Sequence, residues 1–351
     1  MATAVTLIPG DGIGPEVAAS VKAVVTASGA KIDWEPVPVG ISAMEKYGTP
    51  MPPPVFESMG RTKVGLKGPT QTPFGGDYRI KLSHPARDGS TAPRDYPSIA
   101  IALRKEFGLY GAVRPAKNYP GIASRFQGVD LLIFRENSED LYLGIEKRVS
   151  EDRVEATKVI TVSATDRMAH FACRYMEKIG RKRLTVGHKA NVLKLTDGTF
   201  LKVAQAAAAA HPSITCDARV IDALCMELVI KPESFDSLLL ANLYGDIVSD
   251  LAAGLVGGLG VAPGANLGED CAMFEAVHGS APDIAGKDLA NPTALLLSAV
   301  MMLRYLEQGA AADRIEAALS KALADKQAVT KDLGGNGGTK TFTAAIIRAL
   351  G

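Results

Sequence analysis

The strongest constraint on this chain is its rhythm, in which short apolar runs alternate with longer amphipathic stretches. Residues 5–8 precede 16–28, residues 131–134 form another apolar run, 158–162 precede 166–179, and 184–186 precede 196–210. Short apolar runs suit strands buried on both faces, and apolar side chains three and four apart suit helices that cover them. The repetition predicts an α/β fold with helices on the faces of a sheet. The alanine tract 206–210 extends a helix, because alanine is the best helix former. At 351 residues the chain exceeds one ordinary core, which predicts two domains.

Composition narrows the partners. Hydrophobic residues make up 47% and charged residues 22%, an ordinary soluble mixture. With 39 basic and 38 acidic side chains the net charge is +1, so no long-range field attracts a polyanion and no nucleic acid is expected. The 4 cysteines, Cys173, Cys216, Cys225 and Cys271, lack CxxC spacing and read as free thiols in a reducing cytosol. The first ten residues lack the basic and apolar regions of a signal peptide and read as a first strand. No window approaches about 18 uninterrupted apolar residues, so no membrane span is expected and the protein is placed in the cytoplasm.

Two segments break the rhythm. Residues 50–54 are proline at every position but Met51, which predicts a turn or rigid connector rather than a helix or central strand. Residues 75–97 are polar and rich in Gly, Pro, Asp and Arg, too long for a routine connection, and predict a lid or disorder. Arg79, Lys81, Arg87 and Arg94 within it are either solvated or in contact with a substrate.

Candidate chemistry begins at Asp246 and Asp250. Their spacing in a helix-compatible run puts both carboxylates on one face, where they repel each other. Such a pair is either a solvated face or a site for a cation, and oxygen-only ligands suit Mg²⁺ or Mn²⁺. Asp222, at the end of a β-branched run, is a possible third ligand or a helix cap. Arg104, Arg114 and Arg135 each border apolar sequence. Guanidinium groups there bind carboxylates, whether of a polycarboxylate ligand or of Glu136 and Glu139. Tyr142 and Lys189 are able to move protons once neighbours lower their pKa values, or else are a core tyrosine and a surface lysine. The run from Gly10 to Glu16 is not a dinucleotide fingerprint, because its third glycine is misplaced. It reads as a tight strand-to-helix turn with Pro15 in the first helical turn.

Five ordered motifs carry a resemblance: IPGDGIGPE at 8–16, FRENSEDLY at 134–142, HKAN at 188–191, NLYGDIVSD at 242–250 and EAVHGSAPDIAG at 275–286. Together they resemble the metal-dependent decarboxylating dehydrogenases of isocitrate and 3-isopropylmalate, over nearly the whole chain and most closely those that use NAD and isocitrate. The resemblance implies an isopropylmalate dehydrogenase-like fold, two α/β domains sharing a mixed parallel and antiparallel sheet, not a Rossmann fold. The large cofactor-binding domain would comprise 1–109 plus 257–351. The small domain, 110–256, would form the dimer interface, with a clasp at about 140–161.

By the same resemblance, Asp246 and Asp250 bind Mg²⁺ or Mn²⁺ with the Asp222 of a second copy. Ser98, Arg104, Arg114, Arg135, Tyr142, Lys189 and Asn191 contact isocitrate, with Lys189 supplied by the second copy. Lys189 takes the hydroxyl proton and Tyr142 reprotonates the carbon left after carbon dioxide departs. Thr72, Glu275, His278, Gly279, Ala281, Asp283, Ile284 and Asn291 form the cofactor pocket. Asp283 repels a 2′-phosphate, so the cofactor implied is NAD. The reaction implied is oxidative decarboxylation of isocitrate to 2-oxoglutarate within the tricarboxylic acid cycle, in a homodimer or larger homo-oligomer. Family enzymes for isocitrate carry an asparagine where this chain has Ala100. That departure keeps homoisocitrate, 3-isopropylmalate and tartrate open as substrates, along with a non-catalytic regulatory subunit, and gives the basic residues of 75–97 a possible role in place of the amide.

Overall fold

The computed structural model describes residues 2–71, 79–82, 84–86 and 89–351. Two compact units emerge, one formed by Met1–Phe107, Tyr119–Ser124 and Gly257–Gly351, the other by Gly108–Asn118 and Arg125–Val256.

In the first unit the strand Thr3–Ile8 lies parallel between Ile32–Pro36 and Val64–Lys67. Val64–Lys67 pairs in parallel with Ala272–Ala276, which runs antiparallel to Pro263–Leu267, so the sheet is mixed. The helix Gly14–Ala27 buries Val17, Val21, Val24 and Val25, spaced as one helical face requires. The turn before it holds Gly10 and Gly12 at φ values of 79° and 58°. A Cβ on Gly10 would fall 2.0 Å from the Pro69 carbonyl oxygen, so only glycine fits there. Asp11 accepts the backbone N–H groups of Ile41 and Gln71 at 2.8 and 2.7 Å. The glycine run is therefore a strand-to-helix turn braced by its own aspartate.

In the second unit Gly111–Lys117 runs antiparallel to Asp130–Glu136. Ser237–Leu240, Arg183–His188 and Thr215–Val220 then follow in parallel, making this sheet mixed as well. Leu131, Ile133, Leu238 and Leu240 pack against Leu224 and Leu228 of the helix Ile221–Ile230 and against Val248, Ala252 and Leu255 of the helix Asn242–Val256. Each fully buried leucine of this kind contributes about 1.5–3 kcal/mol relative to exposure. Burial of one face of Asn242–Val256 turns the face bearing Asp246 and Asp250 away from the core.

Three expectations need correction. Residues 158–162 are not a strand: Val154–Ala156 pairs with Glu146–Arg148 in an exposed hairpin, and a helix runs over Val162–Ile179. Thr161 explains the switch, since its hydroxyl accepts the Ala164 N–H and caps that helix. The proline run does not exclude a helix either. Pro53 and Pro54 open the helix Pro53–Thr62, where the missing N–H groups have no intrahelical partner to lose. Within 75–97, Ile80–Leu82 and Arg94–Tyr96 form an antiparallel pair that buries Ile80, Leu82 and Tyr96 and exposes Lys81 and Asp95. Among its described residues that stretch holds an ordered strand pair rather than disorder, while Arg87 lies outside them. No helix among the described residues is long and apolar enough to cross a membrane.

Candidate active site

The second unit concentrates charge at one end of its sheet. Arg114 and Arg135 project from neighbouring antiparallel strands, and both are buried, Arg135 with 1% exposure. Arg135 donates through Nε and Nη2 to Asn242 Oδ1 at 3.0 and 2.7 Å, and through Nη1 to the Asp246 carboxylate. The Tyr142 phenol donates to the other oxygen of Asp246, and its ring lies 4.7 Å from the Arg135 guanidinium. A glycine makes this approach possible, because a Cβ on Gly245 would fall 2.6 Å from the Arg135 side chain. Arg135 thus pairs with Asn242 and Asp246 rather than with Glu136 or Glu139. Those glutamates brace their own loops: Glu136 accepts from the Ser138 backbone and hydroxyl, and Glu139 from the Thr161 backbone and hydroxyl.

Asp250 lies one turn beyond Asp246. Burial, and then the Asp246 carboxylate, push its carboxyl above the ordinary range, against the pull of Arg114 and Arg135. This is the electrostatic signature of two carboxylates short of positive charge. The donor set is oxygen only, which fits a hard divalent cation such as Mg²⁺ or Mn²⁺. Two carboxylates are an incomplete shell, and among the described residues no group of three or more His, Cys, Asp and Glu side chains forms a metal-holding cluster.

The remaining candidates of this unit gather elsewhere. Lys189 Nζ donates to Asp222 Oδ1 at 2.5 Å, and this hydrogen bond holds the Asp222 carboxyl below its usual range. Asp222 stands in the first turn of Ile221–Ile230, whose N-cap is Val220, so it is not a cap. Asn191 is exposed nearby in sequence. One copy therefore joins Asp246, Asp250, Arg135 and Tyr142, and separately joins Lys189 to Asp222.

In the first unit Ser98 caps the helix Ile99–Glu106, its hydroxyl accepting the Ile101 N–H at 3.2 Å. Arg104 on that helix lies 3.6 Å from Glu275, and its buried Nε has no hydrogen-bond partner among the described residues. A buried guanidinium nitrogen of that kind calls for an acceptor. Glu275 is itself buried and taken up by Lys67 Nζ at 2.8 Å and by Asn266 Nδ2 at 2.7 Å. Asn291 is engaged with Asp332 and the Thr293 N–H. Burial, above all, lowers the His278 pKa and so favours the neutral ring, and its buried Nε2 lacks a partner among the described residues. Gly279 and Asp283 are exposed, with Ala281 and Ile284 half-buried beside them, while Thr72 lies outside the described residues. Arg94 and Arg79 are taken by Glu106 and Asp95.

Sequence reasoning passed over the supports. Lys158 Nζ lies 2.6 Å from Asp197 and 3.8 Å from Asp140, both fully buried carboxylates. Asp140 accepts the Leu243 N–H at the start of the Asp246 helix, and Asp197 accepts the Lys189 N–H. Asn242, the fork's acceptor, stood at the head of the quoted motif. The lysine bridge carried no local signal, because its members are far apart in sequence.

Mixed α/β sheets that set buried arginines, a tyrosine and paired aspartates together define a class of proteins equipped for acidic ligands. Within that class the chain belongs to the isocitrate/isopropylmalate dehydrogenase family, whose sequence pattern matches residues 4–349. An NAD isocitrate dehydrogenase catalytic subunit 5, mitochondrial, of Arabidopsis thaliana is 48% identical over 97% of this chain and 87% of its own length. A chloroplastic 3-isopropylmalate dehydrogenase of Solanum tuberosum is 47% identical over 91% of this chain and 85% of its own. The crystal structure of isocitrate dehydrogenase from Methylococcus capsulatus superposes with a TM-score of 0.90 at 41% identity, covering 100% of this chain and 99% of that one.

Proposed function

We propose that this chain is an NAD-dependent, metal-dependent isocitrate dehydrogenase that releases 2-oxoglutarate and carbon dioxide. The observation that carries the reading is the Arg135–Asp246–Tyr142 contact set beside Asp250 and Arg114. Arg104, Arg114 and Arg135 hold the substrate carboxylates, for which planar forks are suited. Asp246 and Asp250 hold Mg²⁺ or Mn²⁺, which when bound polarises the oxygen on C2 of the substrate. Lys189 would take the hydroxyl proton and Tyr142 would return a proton at C3 after carbon dioxide has gone, with NAD, when bound, supplying the hydride acceptor. Asp283 supports NAD over NADP, as an exposed carboxylate would repel a 2′-phosphate.

A second copy, or a closely related subunit, completes the site by adding its Lys189 and Asp222. Supporting this, the helix Ile221–Ile230 exposes Met226, Val229 and Ile230 at 54%, 44% and 68%, and Ile247 on the Asp246 helix is 56% exposed. Apolar side chains left exposed on these helices suit a surface covered by a second chain. The hairpin Glu146–Arg148 with Val154–Ala156 exposes Ile145, Val149 and Val154, and a lone two-stranded ribbon needs a partner to be stable. We take residues 110–256 as the domain that forms this interface, with about 140–161 as its clasp. The cysteines are free, which fits a reducing compartment such as the cytoplasm.

Ala100 makes the far end of the substrate the open choice, and the relatives include an enzyme named for 3-isopropylmalate. The test is turnover by the purified chain with NAD and Mn²⁺ on isocitrate, homoisocitrate, 3-isopropylmalate and tartrate. Isocitrate is expected to be preferred, and Asp246→Asn to abolish the metal-dependent rate while the fold persists. Preference for another acid overturns the substrate, and a metal-independent rate overturns the mechanism.

A further inference from the structure

The hairpin of Ile80–Leu82 and Arg94–Tyr96 is fastened to the Ile99–Glu106 helix through one carboxylate. Glu106, with a side chain 3% exposed, accepts Arg94 Nε at 2.7 Å, Arg94 Nη2 at 3.0 Å and the Tyr96 hydroxyl at 2.7 Å. His84 Nε2 lies 3.4 Å from the same carboxylate, and its ring packs against Phe56 with centroids 3.5 Å apart. The Arg94 guanidinium also donates to the carbonyls of Ala92 and His84 at 3.2 and 3.0 Å. One side chain therefore closes the hairpin on itself and docks it on the helix.

The helix so gripped has only 8 residues, so beyond the burial of Ile99, Ala102 and Leu103 it has few other anchors. At one end stands Ser98, its cap, and Arg104 lies two residues before Glu106. Two residues turn a helix by about 200°, so Arg104 and Glu106 point to opposite sides. Arg104 faces Glu275 while Glu106 faces the hairpin. A two-stranded ribbon is marginal by itself, so beyond the burial of Ile80, Leu82 and Tyr96 the ion pair of Arg94 with Glu106 is what ties its polar edge to the helix.

We infer that Glu106 is a positioning residue: with Arg94 and Tyr96 it clamps the hairpin against the Ile99–Glu106 helix and thereby fixes the aim of Ser98 and Arg104 at the substrate carboxylate. The inference rests on the substrate-binding role proposed above. It reassigns the hairpin's arginine from touching substrate to supporting the helix that does. Loss of a carboxylate that serves only global stability would lower the melting temperature without separating substrate affinity from cofactor affinity. A clamp behind Arg104 affects the acid alone, and displacements under an ångström are enough to register.

The experiment uses the full chain with Glu106→Gln, which keeps the shape and removes the charge, assayed well below its melting temperature. The KM for isocitrate is expected to rise about tenfold or more with the KM for NAD changed less than about twofold, and limited trypsin digestion is expected to cut 79–96 faster than in the parent. An unchanged isocitrate KM, or equal rises for isocitrate and NAD, overturns the inference. Should Glu106→Gln fail to fold, Arg94→Lys keeps the charge and loses the fork, and is expected to shift the same KM in the same direction; an unchanged value there overturns it equally. If the parent chain turns over no 2-hydroxy acid, the functional reading is what fails. The clamp is then judged by digestion alone, where parent-like resistance in both variants refutes it.

Discussion

Lys158 shows how much a site can depend on a residue that never meets the substrate. Its ammonium is held between Asp140 and Asp197, and these carboxylates in turn hold the amide of Leu243 and the amide of Lys189. Removing the cation leaves two carboxylates buried without compensation, a situation that costs about 3–5 kcal/mol. Lys158→Met is accordingly expected to lower the unfolding free energy from urea titration by an amount in that range, with a matching fall in the midpoint, and adding Asp197→Asn to recover part of the loss. A midpoint unchanged in the single variant would show that the bridge is not formed in solution. Tyr142 carries a different expectation. Its phenol donates to Asp246, so Tyr142→Phe removes both a proton donor and one partner of that carboxylate. Turnover should fall about 10²- to 10⁴-fold, the usual worth of a general acid, while NAD binding measured by calorimetry stays within about twofold. At this scale the sequence made Arg135, Tyr142 and Asp246 visible because they lie in dense local motifs. It hid Lys158, Lys67 and Glu106, whose partners are brought near only by folding.

Elements were legible where periodicity ran long and illegible where a few residues decided the outcome. The helices Gly14–Ala27 and Thr196–Ala209 follow from apolar spacing and alanine content. The start of Val162–Ile179 turned on the cap supplied by Thr161, and the start of Pro53–Thr62 on the tolerance of a first turn for proline. Strands of 3 residues, such as Ile80–Leu82, offer too little alternation to stand out from a polar loop. Within Asn242–Val256 the informative position is Gly245. In a helix interior glycine costs about 0.5–1 kcal/mol relative to alanine, so its presence needs a reason. The reason is space, since a Cβ there would lie 2.6 Å from both Cβ and Cγ of Arg135. Gly245→Ala should therefore destabilise the protein despite its better propensity, by about 1–3 kcal/mol, as overpacking does. It should also weaken substrate binding by displacing Arg135. A gain in thermal midpoint with unaltered KM would mean that the crowding relaxes freely.

At the scale of the whole molecule, the two contact sets of the second unit carry the proposal of a site shared between copies. In one copy Asp246 and Asp250 keep company with Arg135 and Tyr142, whereas Lys189 is bound to Asp222. If an isologous pair of chains exchanges the second set, each site takes its aspartate pair from one copy and its lysine from the other. Asp246→Asn and Lys189→Met chains should then be inactive alone and rescue each other when unfolded together and refolded as a mixture. In a mixed dimer one site carries both substitutions and the other carries neither. With random pairing half the dimers are mixed, so about a quarter of the parent activity should return, a proportion set by two-fold symmetry. A site built within one chain predicts no recovery at any mixing ratio. Larger assemblies of such dimers leave the fraction unchanged, because the exchange is confined to each pair. Recovered activity should follow a parabola in the mixing ratio with its maximum at equal amounts, and a linear dependence or none would rule out the shared site.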